Sequence, residues 1–297
     1  MNDGNLMILA AGISSRMKRS ASSAEGLDSS FRLEAASKSK AMIGIGDSRR
    51  PLIDYLLYNA KVAGYDDILI VISEKDDSMR NYFGGKDRDN LYHKLRISFA
   101  VQTIPQGRSK PLGTADAVLQ GMLTRKDWRG RKFTVCNSDN LYSVNALRTL
   151  LECGYSNGMI DYDRDALDFD QARIEAFSVT EKDGDGFLIS IIEKPKGQDI
   201  ERIRIRSASI RVSMNIFRLD YDMVLPFVTD TPLHSVRQEK ELPMAVTNMT
   251  QRYPKSVFAF PFEEAVPDFT TVGDVARVRQ YISKTFSGKD WESWIKH

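Results

Sequence analysis

The sequence predicts an α/β fold, an open mixed sheet flanked by helices, and three observations carry that prediction. Short apolar runs of strand length alternate with stretches of helical spacing as far as about residue 150. Two polar clusters, Gly12 to Arg16 and Asn137 to Asn140, follow directly on two of these runs. After Gly158 the strand-like stretches are divided by turn signals such as Asp183-Gly184-Asp185-Gly186. Alternating strands and helices need crossover connections and pair in parallel, which makes a Rossmann-like sheet. The later strands fit a smaller antiparallel or mixed extension. Ligands of open parallel sheets gather at the carboxyl ends of the strands, where both polar clusters fall.

Leu6-Met7-Ile8-Leu9-Ala10 is apolar throughout, as a strand buried on both faces must be. The stretch from Lys18 to Lys38 is rich in Ser, Ala and charge, so it is expected to bury little and to form a flexible insertion. Pro51 to Ala60 spaces Leu and Tyr as a helix does, behind a first-turn Pro and ahead of Gly64. Ile68 to Ile72 and Ser98 to Val101 read as buried strands, and Thr114 to Leu123 as a helix opened by Gly113-Thr114. Phe133 to Cys136 is a fourth strand, with Cys136 a packing residue, and Val144 to Leu151 a helix behind it. Further strands are expected at Ala176 to Val179, Phe187 to Ile192 and Ile210 to Phe217. Helices are expected near Tyr221 to Phe227, Glu241 to Gln251 and Val272 to Thr285. Arg202-Ile203-Arg204-Ile205-Arg206 alternates like the solvent face of a strand. One domain over residues 1–297 is expected, with halves at 1–155 and 156–297.

Composition excludes several classes. The 42 Lys and Arg against 40 Asp and Glu leave a net charge of +2, too little to hold a nucleic-acid backbone without a local basic stripe, and none stands out. Two cysteines are too few for a disulfide framework and point to a reducing compartment. No apolar run approaches the roughly 20 residues that span a membrane, and no basic head precedes the first apolar stretch. A cytoplasmic, soluble protein is expected. The three histidines have no neighbours at zinc-ligand spacing. The sequence leaves homo-oligomer formation open.

Gly12-Ile13-Ser14-Ser15-Arg16 is a loop of small residues at a strand end, with amides able to face an anion and one guanidinium to clamp it. Together with the flanking residues from Leu9 to Met17 it resembles the signature loop of the sugar-phosphate nucleotidylyltransferases. Lys40-Ala41-Met42-Ile43-Gly44 and Pro51-Leu52-Ile53-Asp54-Tyr55 resemble the family's second block, a lysine on a short strand followed by a glycine turn and a helix start. Leu112-Gly113-Thr114-Ala115 resembles its Gly-Thr-Ala helix start, and Asn137-Ser138-Asp139 its metal-binding aspartate. Glu193-Lys194-Pro195 and Ser213-Met214-Asn215 resemble its sugar-side motifs. Ser213-Met214-Asn215 and Glu241-Leu242-Pro243 also resemble a uridylyltransferase-like subgroup.

The resemblance implies that a sugar 1-phosphate and a nucleoside triphosphate combine to give a nucleotide sugar and pyrophosphate. It gives the first half to the nucleotide and the second, with its C-terminal helices, to the sugar phosphate. It implies that Arg16, Lys40 and Lys194 act on the phosphates. Ala10, Ala11, Gly12, Ser14, Ser15, Gly113 and Thr114 would hold the nucleotide. Glu193 and Asn215 would meet the sugar. Asp139 and Asp268 would bind Mg2+, with Asp268 drawn from Pro267-Asp268-Phe269-Thr270. Gln102 ends the third strand, where uridylyl and thymidylyl members of that family commonly place a Gln whose carboxamide can pair with a pyrimidine edge. The resemblance therefore implies UTP or dTTP as the donor, although adenylyl members can carry a Gln there too.

The chain departs from the family in three places. Ser14 stands where Gly is usual, Ser39 where Pro precedes the lysine, and the spacer from Arg16 to Lys40 is much longer, which leaves Lys38 as a second candidate lysine. Two other readings stay open. A GT-A-type glycosyltransferase would use an Asp-x-Asp pattern, which Asp161, Asp163 and Asp165 supply, although this acid-rich stretch reads more simply as a solvated loop. An inactive nucleotide-sugar sensor is suggested by Ser14 and by the loose Asp268 match.

Overall fold

The apolar runs become strands. The computed structural model describes residues 3–23, 29–46, 49–74, 76–206 and 209–296. Among these, ten strands run in the order β1 (Asn5–Leu9), β2 (Asp67–Ser73), β3 (Asn90–Tyr92), β4 (Leu95–Gln102), β5 (Lys132–Asn137), β6 (Asn157–Asp163), β7 (Val179–Lys182), β8 (Leu188–Ile192), β9 (Arg211–Asp220) and β10 (Val257–Phe262). The fold is mixed α/β. The chain divides into two units, one from Gly4–Pro111, Asn137–Leu147 and Pro267–His297, the other mainly from Leu112–Cys136 and Arg148–Val266. The division is not a single boundary near residue 155, because the chain passes between the units more than once.

In the first unit the strands lie in the order β1-β2-β4-β3. β1 pairs with β2 in parallel, Leu6 opposite Ile68, and β2 pairs with β4 in parallel, Ile70 opposite Phe99. β3 is antiparallel to β4. Leu6, Met7, Ile8 and the run Ile68 to Val71 are fully buried, each contributing about 1.5–3 kcal/mol through removal from water. Helix Leu52–Ala63 buries Ile53, Leu56 and Leu57 and ends at Gly64, whose φ of 109° few side chains tolerate. A C-terminal helix, Lys289–Ile295, was not apparent in the sequence; it sets Trp291 against Tyr55 and Tyr58. Beneath it the buried Asp54 carboxylate accepts from Tyr92 Oη (2.7 Å), Arg50 Nη1 (2.6 Å) and Trp294 Nε1 (3.1 Å), enough donors to replace its water.

The stretch from Lys18 to Lys38 buries more than its composition suggested. Helices Ser15–Ser23 and Ser29–Ser37 occupy its described part, with Phe31 and Ala35 buried. Residues 24–28 lie outside the described residues. Lys40–Met42 forms a 3-10 turn rather than the expected short strand.

In the second unit β9 is antiparallel to both β5 and β6, β10 is parallel to β6, and β7 pairs with β8 and touches β9 at Val179. This is the predicted mixed extension. Two local readings are corrected. Arg202 to Arg206 lies in helix Gly197–Arg206, in which Ile203 is buried and Ile205 is 85% exposed, so the apparent strand alternation has only one inward residue. The acid-rich stretch is not all solvated loop, because Asp161 sits fully buried on β6. Its carboxylate accepts from Thr180 Oγ1 and pairs with Lys182 Nζ. That counter-ion is 21 residues away in sequence, beyond the reach of local pattern.

Candidate functional site

The first unit carries most of the expected phosphate and metal residues. Ala10 and Ala11 are buried at the carboxyl end of β1, Gly12 is exposed, and Ser15 and Arg16 begin helix Ser15–Ser23 with their side chains outward. The first amides of a helix have no partner within it, and here they follow a glycine. A Cβ built on Gly12 meets nothing within 4 Å, so no packing of the chain's own demands glycine there. Ser14, where the resemblance leads one to expect glycine, is 8% exposed and takes a left-handed φ of 55°. Its Oγ accepts the backbone N–H of Lys40 at 3.2 Å, which ties the loop to the 3-10 turn.

From that turn Lys40 Nζ pairs with Asp139, while Lys38 pairs with Glu34 at 3.0 Å. Asp139 follows β5, and the preceding Ser138 N–H donates to Leu9 O at 3.2 Å, so this turn is bonded to the end of β1. The segment bearing Asp268 joins the same place through its backbone. Phe269 N–H donates to Asp139 O (2.8 Å), Leu141 N–H donates to Pro267 O (2.9 Å), and Asn140 bridges to Asp268. Thr270 Oγ1 donates to the Asp268 carboxylate at 2.7 Å. Asn140 is 4% exposed, and its Nδ2 meets no acceptor among the described residues. Arg16's loop, Lys40, Asp139 and Asp268 are thus linked by a continuous set of short contacts. Gln102 is buried at the end of β4, opposite Ser73 of β2.

The two aspartates present hard oxygen donors, the kind that magnesium prefers. No group of three or more His, Cys, Asp or Glu gathers among the described residues. Magnesium needs only one or two protein carboxylates when phosphate and water complete its octahedron, so the residues present fit that ion.

The second unit carries Gly113, Thr114, Glu193, Lys194 and Asn215. Gly113 has φ 110°, and a Cβ there would lie 2.5 Å from Lys240 O, so glycine is required twice over. The adjoining backbone is docked on the 240–242 segment, since Ala115 N–H donates to Lys240 O at 3.0 Å and Leu242 N–H donates to Thr114 Oγ1 at 2.9 Å. Asn215 sits where β9 bulges against β6, with φ 56°, a conformation that asparagine tolerates better than most residues. Lys194 is also left-handed, at φ 48°. Glu193 Oε2 accepts from Arg237 Nη2 at 2.8 Å, and Arg237 Nη1 meets Glu241 Oε1, also at 2.8 Å. Arg237 was invisible in the sequence because its partners lie 44 residues before it and four after. Burial, with Glu193 nearby, pushes the Glu241 carboxyl above the ordinary range, against the pull of Arg237.

The Asp-x-Asp alternative fares differently. Asp161 is taken by Lys182 and Thr180, and Asp163 accepts from Asp165 N–H at 2.9 Å and pairs with Arg211 at 3.6 Å. Cys136 is fully buried, as expected of a packing residue. No helix among the described residues is long and apolar enough to cross a membrane.

Comparison with known proteins follows the same lines. The nucleotidyl transferase family model matches residues 35–262. A bifunctional protein GlmU from Geotalea uraniireducens (strain Rf4) is 25% identical over 202 residues, covering 68% of this chain and 36% of that protein. The chain therefore spans about a third of the length of that relative. Two solved structures share the fold at 18% identity and a TM-score of 0.66. One is a Bacillus anthracis protein assigned as a glucose-1-phosphate thymidylyltransferase, in complex with sucrose, covering 97% of this chain and 98% of that one. The other is a UDP-glucose pyrophosphorylase complexed with UDP-glucose, covering 96% and 99%.

Proposed function

The chain belongs to the nucleotidyl transferase family, and from that premise we propose that it joins a sugar 1-phosphate to UTP or dTTP, releasing pyrophosphate. The observation that carries this reading is the linked set in the first unit: Ser14 to Lys40, Lys40 to Asp139, and Asp139 to the Asp268 segment. The Lys40 ammonium against the Asp139 carboxylate, a second aspartate on the adjoining segment, and a helix start bearing Arg16 on the loop tied to Lys40 make a place for a polyphosphate and a hard cation.

In the reaction an oxygen of the sugar phosphate forms a bond to the α-phosphorus of the triphosphate. The bond from that phosphorus to the oxygen bridging the β-phosphate breaks, and pyrophosphate leaves with the electron pair. The nucleophile is already an anion, so the chain's residues supply alignment and charge neutralisation rather than a base. Arg16 and the amides after Gly12 hold the departing phosphates. The open space over Gly12 lets a phosphate approach the backbone closely. Lys40 exchanges Asp139 for the α-phosphate. Asn140 Nδ2 donates to a phosphate oxygen, which would give that buried amide a partner. Asp139 and Asp268 would hold Mg2+, which would neutralise phosphate charge when bound. Lys194 meets the sugar phosphate, and Glu193 and Asn215 the sugar.

Gln102 supports a pyrimidine donor, because a carboxamide offers both a donor and an acceptor to the base edge. The test is a matrix of nucleoside triphosphates against sugar 1-phosphates, with magnesium, read as pyrophosphate. Release with UTP or dTTP is expected; preference for GTP would overturn the base assignment, and release by no pair would overturn the activity.

A further inference from the structure

We propose that Glu193, Arg237 and Glu241 form a charge filter that accepts sugars presenting hydroxyl or amine donors and turns away sugars that carry a carboxylate. The inference rests on the reading of Glu193 as a sugar contact. Two carboxylates share one guanidinium: Arg237 Nη2 lies 2.8 Å from Glu193 and Nη1 lies 2.8 Å from Glu241. The cluster therefore keeps one net negative charge when all three groups are ionised. Lys194, beside Glu193, belongs to the sugar phosphate in the same reading.

Glu241 is the unusual member. It is 5% exposed, and its Oε2 has no donor among the described residues. Buried acceptors are almost always paired, and an orphan of this kind is an opening for a ligand's donor. The groups around it do not change the sign. Glu239 adds negative charge, while His234 works against it from the same loop. The His234 Nδ1 accepts from Val236 N–H and Arg237 N–H, at 3.1 and 3.2 Å, which fixes the loop that carries Arg237. Carboxylates only accept hydrogen bonds, so the cluster rewards a hydroxyl or an amine. Against a second carboxylate it brings like charges together in a partly buried place, where such juxtaposition is costly.

The experiment uses the intact protein and the donor that performs best in the matrix. kcat/KM is measured with glucose 1-phosphate, glucosamine 1-phosphate and glucuronic acid 1-phosphate; the last two each differ from the first at a single position, C2 for the amine and C6 for the carboxylate. The wild type is expected to favour the first two over the uronic acid by at least about 100-fold. Glu241→Gln, nearly isosteric, should shrink that ratio about tenfold or more and leave the KM for the triphosphate unchanged. Arg237→Gln removes the compensating charge and should widen the ratio. This variant also decides the matter if Glu241→Gln does not fold. Equal use of the uronic acid by the wild type, or ratios that neither variant moves, would overturn the filter while leaving the activity standing. Absence of pyrophosphate with every sugar 1-phosphate would overturn the activity and the filter together.

Discussion

Two lysine–aspartate pairs of the same chemistry occupy opposite situations in this chain. Lys40 and Asp139 meet at the end of the first unit's sheet with 16% and 21% of their side chains exposed, and both stand on turns. Lys182 and Asp161 meet between β7 and β6, with Asp161 fully buried and already given a second donor by Thr180. Burial decides what each pair can do. A carboxylate withdrawn from water depends on its partners and cannot trade them, because losing one leaves an uncompensated charge. A partly exposed pair contributes little to stability and exchanges partners cheaply. The first kind is a structural joint and the second is suited to receive a phosphate or a cation.

The largest expected effect tests the joint. Asp161→Ala should cost about 3–5 kcal/mol, read from the midpoint of denaturant unfolding. Replacing both members with apolar residues, Asp161→Leu with Lys182→Met, should recover much of the loss. A stable Asp161→Ala variant would erase the distinction between the two pairs.

Next in size is the exposed pair. Lys40→Ala and Arg16→Ala should each lower kcat about 10²- to 10³-fold, equivalent to about 2–4 kcal/mol of transition-state stabilisation. Their unfolding midpoints should stay near the wild type. Asp139→Asn should do the same and respond poorly to added magnesium. Lys38→Ala should be mild, since Lys38 already pairs with Glu34 within its own helix. If Lys38→Ala is instead the crippling change, the assignment of Lys40 is wrong.

What the sequence revealed divides along the same line. β1, β2 and β5 were legible because fully apolar runs leave few alternatives, and the Gly12 to Arg16 loop was legible because glycine and small residues mark a strand-end turn. The Asn137 to Asn140 cluster was marked by its position behind such a strand, and the resemblance singled out Asp139 within it. Asp161 was misread because an aspartate among aspartates looks solvated, and only the fold brings Lys182 to it. Arg237 and Glu241 were missed as a pair with Glu193 for the same reason. β10 contains Pro261 and alternates weakly, and helix Lys289–Ile295 is stabilised by contacts with Tyr55 and Tyr58, far away in sequence. Local chemistry writes itself into sequence; pairings across the fold do not.

A smaller effect concerns pH. Burial raises the Asp161 carboxyl above its ordinary value of 3.8, so over the interval from 3.8 to that raised value the folded chain binds the proton more readily than the unfolded one. Stability from this group therefore falls as pH rises through the interval. The stability of the wild type minus that of Asp161→Asn should decline over the same range. A difference that grows with pH would mean that Lys182 outweighs burial.

The smallest effect comes from a third pair, Lys255 and Asp185, which sharpens the comparison from its exposed end. Their side chains are 57% and 67% exposed and lie 2.6 Å apart. The hydrogen bond and charge of Lys255 hold the Asp185 carboxyl below its ordinary 3.8, the reverse of Asp161. The sign of the linkage reverses too: the contribution is present above 3.8 and is lost as pH falls through the lowered value. Yet both groups are open to water, and at physiological ionic strength charges are screened over about 8 Å. Asp185→Asn should therefore unfold at the wild-type midpoint above pH 5, and any small deficit should vanish in high salt. A deficit that persists in salt and matches that of Asp161→Ala would show that burial is not what separates the three pairs.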